Sequence, residues 1–164
     1  MYPVRKRTHL KNYDYSSPGC YYVTLCTRNR KQLLSHVQPG SLPGEVQIVL
    51  TPHGMVAERE LKALENRYPD VRIDGYVIMP NHIHALITLT HQAAGASPRP
   101  TLMQVIGGFK SLTTRKCAIG PFFQPSFYEH VIRNEQDYEE KAQYIRNNPV
   151  KWSLDELFVQ DEHP

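Results

Sequence analysis

Long hydrophobic runs are missing: no stretch of this 164-residue chain reaches the ~18 apolar residues that a membrane-spanning helix needs. A transmembrane anchor is therefore not expected, and neither is a secretory signal, because Met1 to Lys11 is polar and basic with no apolar core behind it. Cysteine is scarce too. Cys20, Cys26 and Cys117 are odd in number and form no Cys-x-x-Cys pair, which argues against a disulfide framework and a cysteine zinc knuckle. They read as small buried hydrophobes, and a reducing, cytoplasmic location is the expectation. Internal repeats are absent as well.

What is present is the material of one domain spanning residues 1–164. Hydrophobic residues make up 40% and charged residues 21%, enough apolar surface to bury roughly two-thirds of the unfolded chain's area. The net charge of +3 conceals an asymmetry: residues 1–50 carry +5, 51–100 are neutral, 101–133 carry +3 and 134–164 carry −5. A basic segment at 1–18 and an acidic tail at 153–164 bracket the domain. Basic charge gathered in two stretches suits a nucleic-acid groove, and a mildly basic solvated surface equally well.

Periodicity predicts a strand over 19–27, a basic turn at 28–31, a loop at 38–44 and a short strand at 46–50. Thr51-Pro52 is a helix start, and the helix is expected over 53–67, stopping at Tyr68-Pro69. Two adjacent strands follow, 71–79 and 82–90, joined at Pro80, then a loop at 91–100 and a helix at 102–117. Residues 122–131 read as aromatic and irregular. Asn134 caps a last helix that ends at Asn148-Pro149. This order predicts an α+β sandwich of the ferredoxin-like type, a central antiparallel sheet with helices on one face.

Two patterns carry chemistry. His82 and His84 flank Ile83 in a predicted strand, so both imidazoles share a face, roughly 6.5–7 Å apart, while Ile83, Ala85, Ile87 and Leu89 face the core. That arrangement fits a metal pair, and it also fits two solvent-facing strand histidines. Two ligands complete no site, so a third must come from elsewhere. On the last helix Tyr138, Ala142 and Ile145 form the apolar stripe, and Tyr144 lies about 120° from it. Asn148 is one turn further along, with Lys141 and Asp137 nearby. The face combines a phenol, an amide and a lysine, or it is simply the edge of an amphipathic helix.

The segments YVIMPNHIHALI (76–87) and FYEHVIRNEQDYEEKAQYIRNNPVKW (127–152), with GGFKSLTTR (107–115) and YYVTLCTRNR (21–30) between and before them, resemble the single-tyrosine HUH transposases, in the REP-associated tyrosine transposase branch related to the insertion-sequence 200 type. The likeness spans most of residues 19–152. It implies a ferredoxin-like HUH catalytic domain, with its tyrosine on the C-terminal helix, that binds single-stranded DNA hairpins and cuts beside them. His82, His84 and Asn148 then correspond to the metal ligands and Tyr144 to the nucleophile. Insertion-sequence relatives usually carry glutamine where this chain has Asn148.

The resemblance implies a Mg²⁺ or Mn²⁺ cofactor, a 5′-phosphotyrosine intermediate with a free 3′-OH, and rejoining without ATP. Arg28, Arg30, Lys110, Arg115, Lys116, Arg133, Arg146 and Lys151 are candidate phosphate contacts, interleaved with aromatics able to stack on bases. The partner expected is hairpin-bearing single-stranded DNA, and the chain acts as a monomer or a homodimer. A domesticated hairpin binder that no longer cuts is the alternative. A rolling-circle initiator or relaxase fits less well, given the YIRNNPVK context of the tyrosine.

Overall fold

The computed structural model of the chain describes residues 10–15, 17–90, 100–155 and 157–158. The elements in chain order are β1 (Gly19–Cys26), β2 (Ser35–Pro39), β3 (Val46–Leu50), α1 (Pro52–Lys62), α2 (Leu64–Arg67), β4 (Val71–Ile78), β5 (His82–Leu89), α3 (Leu102–Cys117), β6 (Tyr128–Val131) and α4 (Glu135–Asn147). The first strand forms because β-branched and aromatic residues alternate across it, and it becomes the centre of the molecule. β1 pairs antiparallel with both β5 and β6, and β4 pairs antiparallel with β5, in the order β4-β5-β1-β6. With the β2–β3 hairpin set aside, this is the ferredoxin-like strand order with a helix on each crossover. The expected loop at 91–100 lies, except for Pro100, outside the described residues.

Each face of the sheet has its own core. Tyr21, Val23 and Leu25 of β1 and Ile83, Ala85 and Ile87 of β5 pack against α1, α2 and α3 through Ala57, Leu61, Leu64, Val105, Ile106 and Phe109. The opposite face, holding Tyr22, Val77 and Leu86, is covered by Ile145 of α4 and by Trp152. The expectation of helices on one face thus holds for α1 to α3, while α4 roofs the other. The stripe of Tyr138, Ala142 and Ile145 is what seats it.

Capping residues set the helix starts as the sequence suggests. The Thr51 hydroxyl accepts from Gly54 N at 3.0 Å, Thr101 and Gln104 form a capping box, and Asn134 accepts from Asp137 N at 2.8 Å. Three elements differ from the sequence expectation. The first helix breaks at Ala63, where ψ relaxes to −14°. β2 forms inside a segment whose prolines and glycines signalled a loop. Residues 128–131, expected to be irregular, form β6, because pairing with β1 overrides a pattern that places the buried residue at Glu129, where it accepts from the Tyr15 hydroxyl.

The turn that launches β5 is held from behind. Leu34 N donates to Pro80 O at 3.0 Å, and both Thr27 N and Thr27 Oγ1 donate to Asn81 O. Leu34 O in turn faces Gly54 so closely that a Cβ there would sit 1.8 Å from it. Gly54→Ala must displace backbone, so it is expected to destabilise the fold by about 2–3 kcal/mol, read as a fall in Tm of about 5–10 °C. An unchanged Tm would contradict this packing.

Candidate functional site

Cross-strand register places His84 of β5 opposite Thr24 of β1 and Val77 of β4, and His82 opposite Cys26. The two imidazoles point to the α4 side of the sheet, their centroids 4.5 Å apart. They are not solvent-facing: His82 is 0% exposed and His84 4%. Roofing by α4 and Trp152 excludes the reading of two solvent-facing strand histidines.

Hydrogen bonds orient both rings. Asn81 Nδ2 donates to two carbonyls, Arg30 O at 3.2 Å and Leu157 O at 2.8 Å. Its Oδ1 therefore faces His82 Nδ1, 2.8 Å away. An amide oxygen only accepts, so the proton sits on Nδ1 and His82 Nε2 presents a lone pair. His84 Nδ1 lies 2.8 Å from both the Tyr22 and Thr24 hydroxyls, which can take its proton and leave Nε2 free in the same way. Such outer partners are what orient imidazoles toward a metal.

Asn148, the C-cap residue of α4, points its amide into this space. Its Nδ2 donates to Asp155 Oδ2 at 2.8 Å, which turns Oδ1 the other way. His82 Nε2, His84 Nε2 and Asn148 Oδ1 are all buried without a hydrogen-bond partner. Orphaned buried acceptors are unfavourable unless something electropositive lies among them. Two imidazole nitrogens and an amide oxygen suit a borderline divalent cation, so the residues present fit the implied metal.

Tyr144 stands at the mouth of this cluster. Its ring centroid is 5.4 Å from His84 and 6.4 Å from Tyr22, edge-on to both, and the side chain is 42% exposed. It forms part of the wall of two depressions. One, of about 500 Å³, also contains Arg30, His84, Phe127, Tyr128, Lys141 and Asp155; the other, of about 410 Å³, contains Asn148 and Lys151. Lys141 Nζ sits 5.2 Å above the Tyr22 ring. The helix is pinned at its start by His130, whose Nε2 meets both Asp137 oxygens at 2.8 and 2.9 Å. His130 is a structural residue here.

The basic candidates divide. Arg30 and Lys151 reach the depressions beside Tyr144. Arg28, Lys110 and Arg115 line a separate basin with Phe122 and Phe123, where Lys110 Nζ is tied to the carbonyls of Gln124 (2.5 Å) and Pro125 (3.0 Å). Lys116 pairs with the buried Glu60, as does Arg67, and together they hold that carboxyl below its usual range. Arg146 forms an exposed pair with Glu139, worth little energetically. Arg133 lies at the entry to α4, where its backbone N–H donates to Asp137.

Sequence pattern does not single out Asp155. It lies in the acidic tail segment and reads as one more surface charge, yet its Oδ2 is 3.8 Å from His82 Nε2. Tyr22, Thr24 and Asn81 are likewise invisible as site residues until strand register brings them there. For Tyr22 and Thr24 a signal was available, since alternation in β1 puts them on one face.

Burial pushes the His82 imidazole down to about 4, with Asp155 opposing, and moves His84 down too, with His82 and Lys141 adding to the effect. An unfolded histidine titrates near 6.5. Between that pH and about 4 the unfolded chain binds a proton that the folded chain refuses, so stability rises with pH across this window. It is fully present above pH ~6.5 and lost as pH falls, by on the order of 3 kcal/mol for His82 in metal-free protein. Urea midpoints in EDTA should therefore fall more steeply with acid for wild type than for His82→Gln; parallel curves would contradict the assignment.

No family model matches the chain. An uncharacterised protein of Haemophilus influenzae is 32% identical over 174 aligned residues, 94% of this chain and 93% of its own length. The REP-associated tyrosine transposase of Escherichia coli is 28% identical over 137 residues, 84% of this chain and 70% of its own. Among solved structures, a REP-associated tyrosine transposase bound to a REP hairpin superposes with a TM-score of 0.65 at 25% identity, covering 88% of this chain and 74% of its own. On sequence and fold together, the chain is a homologue of the REP-associated tyrosine transposases.

Proposed function

We propose that the chain is a divalent-metal-dependent endonuclease and strand transferase that cuts single-stranded DNA beside hairpins, with Tyr144 as nucleophile and His82, His84 and Asn148 as metal ligands. One observation carries this reading: three buried polar atoms without partners, His82 Nε2, His84 Nε2 and Asn148 Oδ1, lie beneath a half-exposed phenol. His82, His84 and Asn148 would hold a Mg²⁺ or Mn²⁺ ion through those atoms, and the ion would supply Lewis-acid polarisation of the scissile phosphate. The Tyr144 oxygen bonds to phosphorus as the bond to the 3′ oxygen breaks, leaving a 5′-phosphotyrosine and a free 3′-OH. The phenol proton passes to water, which reaches the exposed ring, and the departing oxygen takes a proton up. Because the phosphodiester's energy stays in the new bond, a second 3′-OH can reverse the step and join new ends without ATP.

Lys141 and Arg30 place positive charge along the same depression, and Tyr128, 50% exposed at its rim, offers a face to an unpaired base. The relative solved with a REP hairpin supports a DNA hairpin as the partner. Every proposed site residue comes from one chain, so the reading requires no second copy. Action on chromosomal DNA implies a cytoplasmic location, and among the described residues no helix is long and apolar enough to cross a membrane.

The test is to incubate the protein with 3′-labelled single-stranded hairpin DNA and Mg²⁺, Mn²⁺ or EDTA, then resolve it on a denaturing gel. A metal-dependent covalent band is expected, since the 3′ fragment is the one that stays on the protein. Tight hairpin binding with no band would favour the alternative, a hairpin binder that no longer cuts.

A further inference from the structure

We infer that Asp155 is an additional, anionic ligand of the divalent cation, and that cation binding and docking of residues 152–155 and 157–158 are therefore coupled. The inference rests on the metal reading of the histidine pair and adds a residue from outside the family-like motifs.

Asp155 is first a charge problem. Its side chain is only 1% exposed, and a buried carboxylate is strongly unfavourable unless a cation or several hydrogen bonds compensate it. The compensation in hand is neutral: Asn148 Nδ2 donates to Oδ2 and Leu157 N donates to Oδ1, each at 2.8 Å. Among the described residues no lysine or arginine pairs with it. The nearest titratable base is His82, whose Nε2 has its lone pair, not a proton, turned this way, because its proton is held on Nδ1 by Asn81. An anionic side chain thus shares a largely buried space with the three orphaned acceptors. The three orphaned acceptors and the carboxylate, whose only donors are the neutral Asn148 amide and Leu157 N–H, repel one another, and a divalent cation in their midst would give each an attractive partner.

The spacing agrees. One ligand atom each from His82, His84 and Asp155 all lie within 4.8 Å of one another. Three ligands about 2.1–2.3 Å from a common ion can all lie up to about 4 Å from one another, so a contraction of about half an ångström per ligand suffices. Two nitrogens, an amide oxygen and a carboxylate oxygen form a donor set of mixed hardness suited to first-row divalent cations.

The segment also grips His82 from its far side. Leu157 O accepts from Asn81 Nδ2, and Asn81 Oδ1 accepts from His82 Nδ1. The Trp152 ring lies 5.8 Å from that of His82, and Phe158 packs on Trp152 at 5.1 Å. A cation that draws in Asp155 therefore tightens a closed loop of contacts around His82, which is how local ordering and metal affinity become linked.

The test uses the full chain, freed of metal and without DNA. Mn²⁺ is titrated in and the free ion is followed by its electron paramagnetic resonance signal, for wild type, Asp155→Asn, Asp155→Ala and His82→Ala. Both Asp155 variants are expected to bind Mn²⁺ at least 10-fold more weakly, and His82→Ala more weakly still. The metal-free Tm of the two Asp155 variants should be equal to or above that of wild type, because a buried unpaired charge has been removed. Mn²⁺ should also slow amide hydrogen exchange across 152–155 and 157–158 in wild type and in neither Asp155 variant. Wild-type binding with both Asp155 variants within twofold of it would overturn this inference and leave the metal reading standing. No Mn²⁺ binding by wild type would overturn both.

Discussion

Tyr144→Phe is expected to reduce DNA cleavage by at least about 10³-fold and to eliminate the covalent adduct, with hairpin affinity kept within about twofold. The substitution removes one oxygen and keeps the ring. That ring touches His84 and Tyr22 edge-on and is half-exposed, and phenylalanine keeps both ring contacts. The other phenols near the site are worse placed. Tyr22 is buried, its hydroxyl is engaged with His84, and burial raises its pKa well above the ordinary tyrosine value. Tyr138 belongs to the apolar stripe under α4, and burial raises it as well. Denaturing gels and filter binding on the same samples check both halves of the expectation. Residual cleavage within tenfold of wild type would remove Tyr144 from the nucleophile's role.

His82→Ala and His84→Ala are each expected to lower cleavage by at least about 100-fold, equivalent to ~2.7 kcal/mol of transition-state stabilisation. Hairpin binding should persist within about threefold, because contacts to the phosphate backbone are made by other groups. The two variants should differ in stability. Removing His84 leaves the hydroxyls of Tyr22 and Thr24 without their common partner, whereas removing His82 releases only Asn81 Oδ1. His84→Ala is therefore expected to be the less stable of the two in EDTA. Loss of cleavage and hairpin binding together, in protein that remains folded, would contradict this division of roles.

Much of this arrangement is legible in the chain itself. Alternation in β1 and β5, the caps at Thr51, Thr101 and Asn134, and the spacing of the stripe in α4 are local signals, and the structure follows them. The shared face of His82 and His84 is a consequence of strand geometry alone. Their burial is not local: it depends on which face α4 covers, and an amphipathic pattern tells only that a helix has an apolar side, not where that side docks. β6 escaped for the same reason, since a short strand with a buried glutamate carries no alternation signal and exists because β1 offers it an open edge. Asp155 depends on a chain reversal after Pro149 that returns the backbone to β5, and a single acidic residue in an acidic segment does not announce that return.

Among the basic residues, sequence supplied charge but not partners. Lys116 and Arg146 are held by Glu60 and Glu139, and Lys110 by two carbonyls. Lys141, on the tyrosine's own helix, stands over Tyr22 in the depression beside the histidines. Position in three dimensions, not net charge, decides which cations face the site.

In the proposed reaction one phenol, at position 144, carries the DNA during strand transfer. The measurement that tests it most directly is mass spectrometry of the covalent complex, formed with Mn²⁺ on hairpin DNA, digested with nuclease and protease, and searched for the nucleotide-bearing peptide. A 5′-phosphate-linked nucleotide on Tyr144 is expected. A nucleotide on Tyr128, Tyr138 or any other residue would contradict it.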